Sequence, residues 1–163
     1  MAFKQLIAPN LDPFIKQPNS SGGEYTLTDW LGYCLAYAEA CFGLKYLAPT
    51  AWSAWLGSTK KHTDRDFPKG VYFLMWFSHM GTYGGVYKNW GHVVVAYIHP
   101  VTGVMQIWSS PITRKPYADT WNSVAIVEAK YSAKYVGWSE DIVGKAVIQW
   151  VEDTPVAVVQ PHQ

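Results

Sequence analysis

Two thiols and five imidazoles are the groups in this chain best suited to covalent and acid–base chemistry. Cys34 and Cys41 stand seven residues apart in GYCLAYAEACFGL, a stretch of helical composition from Gly32 to Leu44. A thiol becomes a useful nucleophile when a base within hydrogen-bond reach takes its proton, and imidazole is the usual base. Cysteine is also among the most buried residue types, so the alternative for each thiol is a small hydrophobe in a core. A disulfide between the two is not expected. On one helix, a rise of about 1.5 Å per residue puts their Cα atoms roughly 10 Å apart, and a bridge needs less than about 7 Å. With no CxxC or HxxxH partner, a structural zinc site is not expected either.

The two thiols differ in position. Cys34 is the first residue of the apolar series Cys34, Tyr37, Ala38, Cys41 and Phe42, spaced i, i+3, i+4, i+7, i+8 as one buried helical face. A cysteine at a helix start meets free N–H groups and the positive end of the macrodipole, which stabilise a thiolate and can hold an oxyanion. Gly32 permits a tight turn just before it. If Thr28 or Asp29 capped an earlier start, Cys34 would lie mid-helix and lose this advantage. Cys41, two turns deeper, reads as core.

Among the histidines, His162 falls in the C-terminal stretch, His62 in a charged loop, His99 at a turn and His79 in a Gly-rich segment. His92 follows Gly91 and opens the strand-like HVVVAYIH, so its ring is expected at the sheet edge on a fixed backbone, where a base is well held. The alternative is a hydrogen-bonded, partly buried histidine without a chemical role.

The elements that must position these groups fall into two halves. Lys16 to Asp29 is a polar, Gly/Ser-rich loop. The Cys34 helix ends at Gly43, and TAWSAWLG forms a second short helix with Thr50 as cap and Gly57 as stop. After Pro68 the chain turns to strands. Gly70 to Ser78 is a buried strand, HMGTYGGVYKNWG a Gly- and aromatic-rich loop, and HVVVAYIH with VMQIWSS an antiparallel hairpin. VAIVEAKYS and YVGWSEDIVGKAVIQW are expected to add one or two more strands. The expected fold class is α+β, with N-terminal helices packed on an antiparallel sheet of about five or six strands. The expected organisation is an arm over residues 1–28, one domain over 29–151 and a Pro-containing tail or linker over 152–163.

A chain of 163 residues with 49% hydrophobic and 15% charged residues suits one packed domain. A net charge of +1 lacks the clustered basic residues of a nucleic-acid binder. Nothing approaches the roughly 20 apolar residues of a membrane span. The opening MAFKQLIAPNLDPF has no apolar run of signal-peptide length, so synthesis as a soluble cytoplasmic chain is expected. Nine Trp and eleven Tyr suit a core, and also a cleft that grips sugars or peptides. Asp64 and Asp66 have the first two spacings of a calcium loop, but the Gly and bidentate Glu that complete it are missing. No metal or other cofactor is expected, and a monomer is.

Three segments in order carry a resemblance to a known family. GYCLAY resembles the cysteine motif of CHAP domains, FPKGVYFLMWF the Pro-x-Gly and buried strand that follow, and WGHVVVAYI their Gly-His-Val histidine motif. They cover Gly32 to Ser110. GTYGGVYKNWGHV, IWSSP and GWSEDI are similar to N-terminal peptidase domains of phage endolysins that attack actinobacterial walls, which extends the likeness to Gln149. The pattern departs at Tyr33, where many CHAP domains have Gln.

The resemblance implies a papain-like fold and a Cys/His hydrolase that cuts amide bonds in peptidoglycan, as endopeptidase or N-acetylmuramoyl-L-alanine amidase. Cys34 would be the nucleophile and His92 the base. The family's third residue, Glu, Asn or Asp on the next strand, is replaced here by Ser109, with Ser110 beside it and Gln106 on the same strand. Serine can accept a bond from Nδ1–H but brings no charge to stabilise imidazolium, so the site works as a dyad or with Ser109 standing in. Tyr83, Tyr87 and Trp90 are expected to line the substrate cleft, with Trp108 below the histidine. The partner implied is cell-wall peptidoglycan, reached after holin-type release from the host cytoplasm. The alternative is a catalytically inactive wall- or virion-binding module of the same fold.

Overall fold

Tyr72–Ser78 and His92–Ile98 are almost wholly apolar runs because both become interior strands of one sheet, covered on both faces. The structure, a computed structural model, describes residues 2–13, 16–18, 24–26 and 29–152. In chain order the strands are β1 (Ala2–Gln5), β2 (Lys16–Pro18), β3 (Glu24–Thr26), β4 (Lys61–His62), β5 (Tyr72–Ser78), β6 (Met80–Tyr83), β7 (Val86–Asn89), β8 (His92–Ile98), β9 (Met105–Ser109) and β10 (Asp119–Trp121). They continue with β11 (Lys134–Ser139), β12 (Asp141–Ile142), β13 (Lys145–Ala146) and β14 (Ile148–Val151). The helices are α1 (Cys34–Cys41), α2 (Ala51–Gly57) and α3 (Val124–Tyr131). The main sheet has six antiparallel strands in the order β10-β9-β8-β5-β11-β4. The fold class is therefore α+β, with three helices among the described residues. No helix among them is long and apolar enough to cross a membrane.

Helix α1 packs against β8 and β9. It is buried nearly all round, at Leu35, Ala36, Tyr37, Ala38, Glu39 and Cys41, rather than along one stripe. A helix apolar on every side belongs inside, and its alanines allow close approach to the sheet. Helix α2 starts as the sequence predicts. Thr50 and Ser53 form a reciprocal capping box. The first turn of α2 sits on the backbone that leads into β8: the Trp52 N–H donates to the Trp90 carbonyl at 3.0 Å. Gly91 makes this seat possible. Its φ is +71°, and a Cβ there would lie 2.5 Å from Trp52 N.

Three segments differ from expectation. VAIVEAKY is helix α3, not strand. Ser123 caps it by accepting the Ile126 N–H, and Val124 and Val127, three apart, turn inward. The Gly-rich segment after His79 is the hairpin β6–β7, turned on Gly84 and Gly85, both at positive φ, as a two-residue hairpin loop requires. The C-terminal segment gives four strands rather than one or two. Residues 2–5 pair along β14, from Ala2 opposite Val151 to Gln5 opposite Ile148. The Gln5 side chain then bonds the Tyr72 backbone in both directions, at 3.0 and 2.7 Å. Much of the polar loop read at Lys16 to Asp29 lies outside the described residues. Within it, β2 and β3 pair. Residues 153–163 of the proposed tail also lie outside.

Candidate active site

Cys34 is the first residue of α1. The helix starts there because Gly32, at φ +77°, turns the chain and Tyr33 serves as N-cap without a side-chain cap bond. The start of α1 opens on a cleft of about 730 Å³ that Cys34 and His92 both line. The backbone N–H groups of Val93, the residue after His92, of Leu35 and of Cys34 itself favour the thiolate. Even so, the thiol is pushed up to about 11, because burial disfavours the thiolate more than these donors favour it. The expected depression at a helix start is overturned by desolvation.

His92 is the first residue of β8, opposite Phe77 of β5. It stands at the end of an interior strand, not at the sheet edge. Its ring lies between Phe77, tilted at 6.0 Å, and Tyr131, stacked at 4.1 Å with planes 23° apart. Burial, with a smaller contribution from nearby His79, pushes the imidazole down to about 3. Nε2 of His92 is 2.9 Å from Oγ of Ser109. The ring nitrogen engaged by serine is thus Nε2, not Nδ1.

Ser109 is fully buried at the end of β9. It lies one residue beyond the Val95–Trp108 pair, so it shares a sheet face with His92 and Val94. The same alternation sends Trp108 to the opposite face, where it packs on Tyr72 at 5.6 Å. Trp108 does not lie below the histidine, and Gln106 shares its outward face, paired with Tyr97. Ser110 does line the cleft.

The hairpin β6–β7 forms one rim. Tyr83 and Trp90 line the cleft, edge to face at 5.5 Å, and Trp90 Nε1 donates to the Gly81 carbonyl at 2.9 Å. Tyr87 pairs with Thr82, on the face of the hairpin opposite Tyr83, and is 68% exposed. It is not part of the cleft wall.

Sequence reasoning missed three cleft residues. Tyr131 stacks on His92 from the end of α3, a helix mistaken for a strand. His79 bonds the Tyr83 hydroxyl at 2.8 Å through Nε2. Glu39 is a carboxyl in an otherwise apolar helix, and that isolation was the available signal. It accepts the Leu47 N–H at 2.9 Å and burial pushes it up to about 8.

The remaining candidates lie elsewhere. Cys41 is buried, with its thiol pushed up to about 12 by desolvation; both cysteines are free. His62 stacks on Trp138 at 3.8 Å and bonds Glu140 at 2.7 Å. His99 holds its own turn, accepting from the backbone N–H groups of Val101 and Thr102. His162 lies outside the described residues. Asp64 accepts the Trp138 indole N–H, which holds its carboxyl below the usual range. Among the described residues, no group of three or more His, Cys, Asp or Glu could hold a metal ion.

A thiol at a helix start that shares a cleft with an imidazole held through Nε2 has the groups that acyl transfer through a thioester needs. No protein-family model, no curated protein and no solved structure matches this chain.

Proposed function

We propose that this chain is a cysteine hydrolase of CHAP type, papain-like in fold, that cuts amide bonds in bacterial cell-wall peptidoglycan after phage-type release. The observation that carries the reading is the His92 Nε2–Ser109 Oγ bond of 2.9 Å in the cleft that Cys34 also lines. The reading is supported by Cys34 and His92 both lining that cleft, in the chain order the sequence resemblance implies.

In this reading the scissile carbonyl enters the cleft at the start of α1. The Cys34 sulfur attacks the carbonyl carbon while Nδ1 of His92 takes the thiol proton. With the thiol at about 11 and the imidazole at about 3, both groups rest neutral, so proton transfer accompanies attack. The oxyanion is held by the backbone N–H of Cys34, at a helix start without a side-chain cap. His92 returns the proton to the leaving amine, and a thioester remains. Water activated by the same imidazole then attacks the thioester, releases the acid and restores the thiol.

A second reading is favoured by that same neutral pair and by serine in place of a carboxylate: an inactive binding module of the same fold. The test is turbidity loss of purified cell walls, with wild type and Cys34→Ala side by side, with and without EDTA. Loss with wild type alone, unchanged by EDTA and retained by Cys41→Ala, supports the hydrolase. Equal behaviour of wild type and Cys34→Ala on walls from several hosts supports the binder.

A further inference from the structure

We propose that Glu39 is a ligand-binding residue: a neutral carboxyl in the wall of the cleft whose Oε1–H donates to a peptide carbonyl of the bound molecule. The site rests on burial and hydrogen-bond geometry; that its ligand is the substrate rests on the hydrolase reading.

Glu39 is a carboxyl in unfavourable surroundings. It is 2% exposed on an otherwise apolar helix, and it lines the cleft together with Leu35, Ala36, Ala48 and Pro49. Leu35 and Ala36 lie four and three residues before it, so the three share one face of α1. Among the described residues no cation pairs with it. Its hydrogen bond there is to one backbone N–H, that of Leu47, 2.9 Å from Oε2. A buried carboxylate with one neutral donor and no counter-charge is costly, so the group is held as the acid. The displacement of its titration to about 8 agrees.

The two oxygens of this acid are not equivalent. Oε2 accepts the Leu47 N–H and so takes the part of the carbonyl oxygen, the better acceptor of the two, which leaves the proton on Oε1. Oε1 has no hydrogen bond among the described residues. Yet the one fully enclosed side-chain polar atom without a partner among them is Nε1 of Trp30. Oε1 is therefore not sealed in the core, and the exposed part of Glu39 opens on the cleft that it lines. A donor so placed needs an acceptor from whatever occupies the cleft.

The chemistry of the ligand follows. An O–H donor selects an oxygen acceptor. The apolar neighbours Leu35, Ala36, Ala48 and Pro49 cannot solvate a carboxylate, and they suit an uncharged amide carbonyl. Glu39 stands five residues beyond Cys34, about 7.5 Å along the helix axis at a rise of 1.5 Å per residue. An extended peptide covers that distance in about two residues. The carbonyl engaged belongs to a peptide residue about that far from the group at Cys34.

The test is infrared spectroscopy of the protonated carboxyl at pH 6, below its titration. Cys34→Ala protein keeps the probes intact, and the Glu39 band is identified by its loss in Cys34→Ala/Glu39→Gln. One probe is alanyl-alanine amide, which brings peptide carbonyls and no carboxylate. The other is N-acetylglucosamine, which brings an acetamido carbonyl. A saturable shift of the band with the dipeptide amide and none with the sugar is expected. No Glu39 band, no saturable shift with the dipeptide amide, or a shift with the sugar alone overturns the proposal. Kinetics on walls supply the second measurement. Glu39→Met offers no donor, and KM should rise about tenfold with kcat little changed. Glu39→Gln gives its oxygen to the Leu47 N–H and an N–H donor to the cleft, and should recover most of that loss. Equal KM for wild type and folded Glu39→Met overturns the proposal and leaves the hydrolase reading intact. If the band shifts as expected but wild type cleaves no wall, the site stands and the hydrolase reading fails.

Discussion

Tyr131 lies face to face with His92, ring centroids 4.1 Å apart, and so replaces water on one side of the imidazole. Phe77 leans on it from a second direction. Burial disfavours the charged imidazolium, nearby His79 adds to this, and the pKa falls to about 3. Desolvation likewise raises Cys34, a half-buried residue, to about 11. The two groups therefore rest as a thiol and an imidazole, not as a thiolate–imidazolium pair. Charge appears only when a substrate arrives to share it.

That state predicts a slow thiol. At pH 8 Cys34 should present about 100-fold less thiolate than an unperturbed cysteine, given its displacement from 9.0 to about 11. Iodoacetamide alkylation of the folded protein, mapped by mass spectrometry, should be correspondingly slow and should accelerate up to about pH 11. Cys41, at about 12 and buried, should be slower still. Alkylation of Cys34 at pH 7 as fast as in the denatured chain would show that the thiolate is already formed.

How far the sequence reaches can be judged from single elements. The start of α2 was legible because Thr50 is a local signal; its partner Ser53 completes the cap three residues on. The β8–β9 hairpin was legible because its strand runs are long and its turn is short. Helix α3 was not: Val124, Ile126 and Val127 have strand propensity, and one bond to Ser123 with two inward valines outweighs it. Losing α3 hid Tyr131, because nothing near position 131 indicates that its ring returns to position 92. Trp108 and Tyr87 were misplaced for a related reason. Each lies one residue away in register from a residue that does face the cleft side, and register is set across strands rather than along them. The helix start at Cys34 was legible, but its electrostatics were not, since burial depends on what packs over the thiol.

Glu39 gives the fold a pH dependence of known sign. Its folded pKa of about 8 lies above an ordinary value near 4.5, so between these limits the folded state holds a proton that the unfolded state has lost. Its contribution is fully present below about pH 4.5 and lost as pH rises to about 8. Glu39→Gln keeps an oxygen for the Leu47 N–H and removes the titration. Denaturant midpoints of both proteins at pH 5, 6.5 and 8 should diverge, the wild type losing stability relative to the variant by roughly 2 kcal/mol or more across the range. His92 affects both proteins alike and cancels. Parallel curves would mean that Glu39 is ionised in the folded state.

The two faces of the β6–β7 hairpin predict unequal effects of two similar tyrosines. Tyr83 faces the cleft, meets Trp90 edge to face and is held by His79 through its hydroxyl. Tyr87 points from the other face, beside Thr82. Under the hydrolase reading, Tyr83→Ala should raise KM for wall fragments by about 3- to 10-fold with a smaller change in kcat, because it removes a wall of the cleft but no reacting group. Tyr83→Phe, which loses only the bond to His79, should fall between the two. Tyr87→Ala should leave both constants unchanged. Trp108→Ala should lower thermal stability through lost packing on Tyr72 and leave KM alone. A rise in KM for Tyr87→Ala equal to that for Tyr83→Ala would mean that substrate wraps both faces of the hairpin, and the rim would then extend well beyond the cleft.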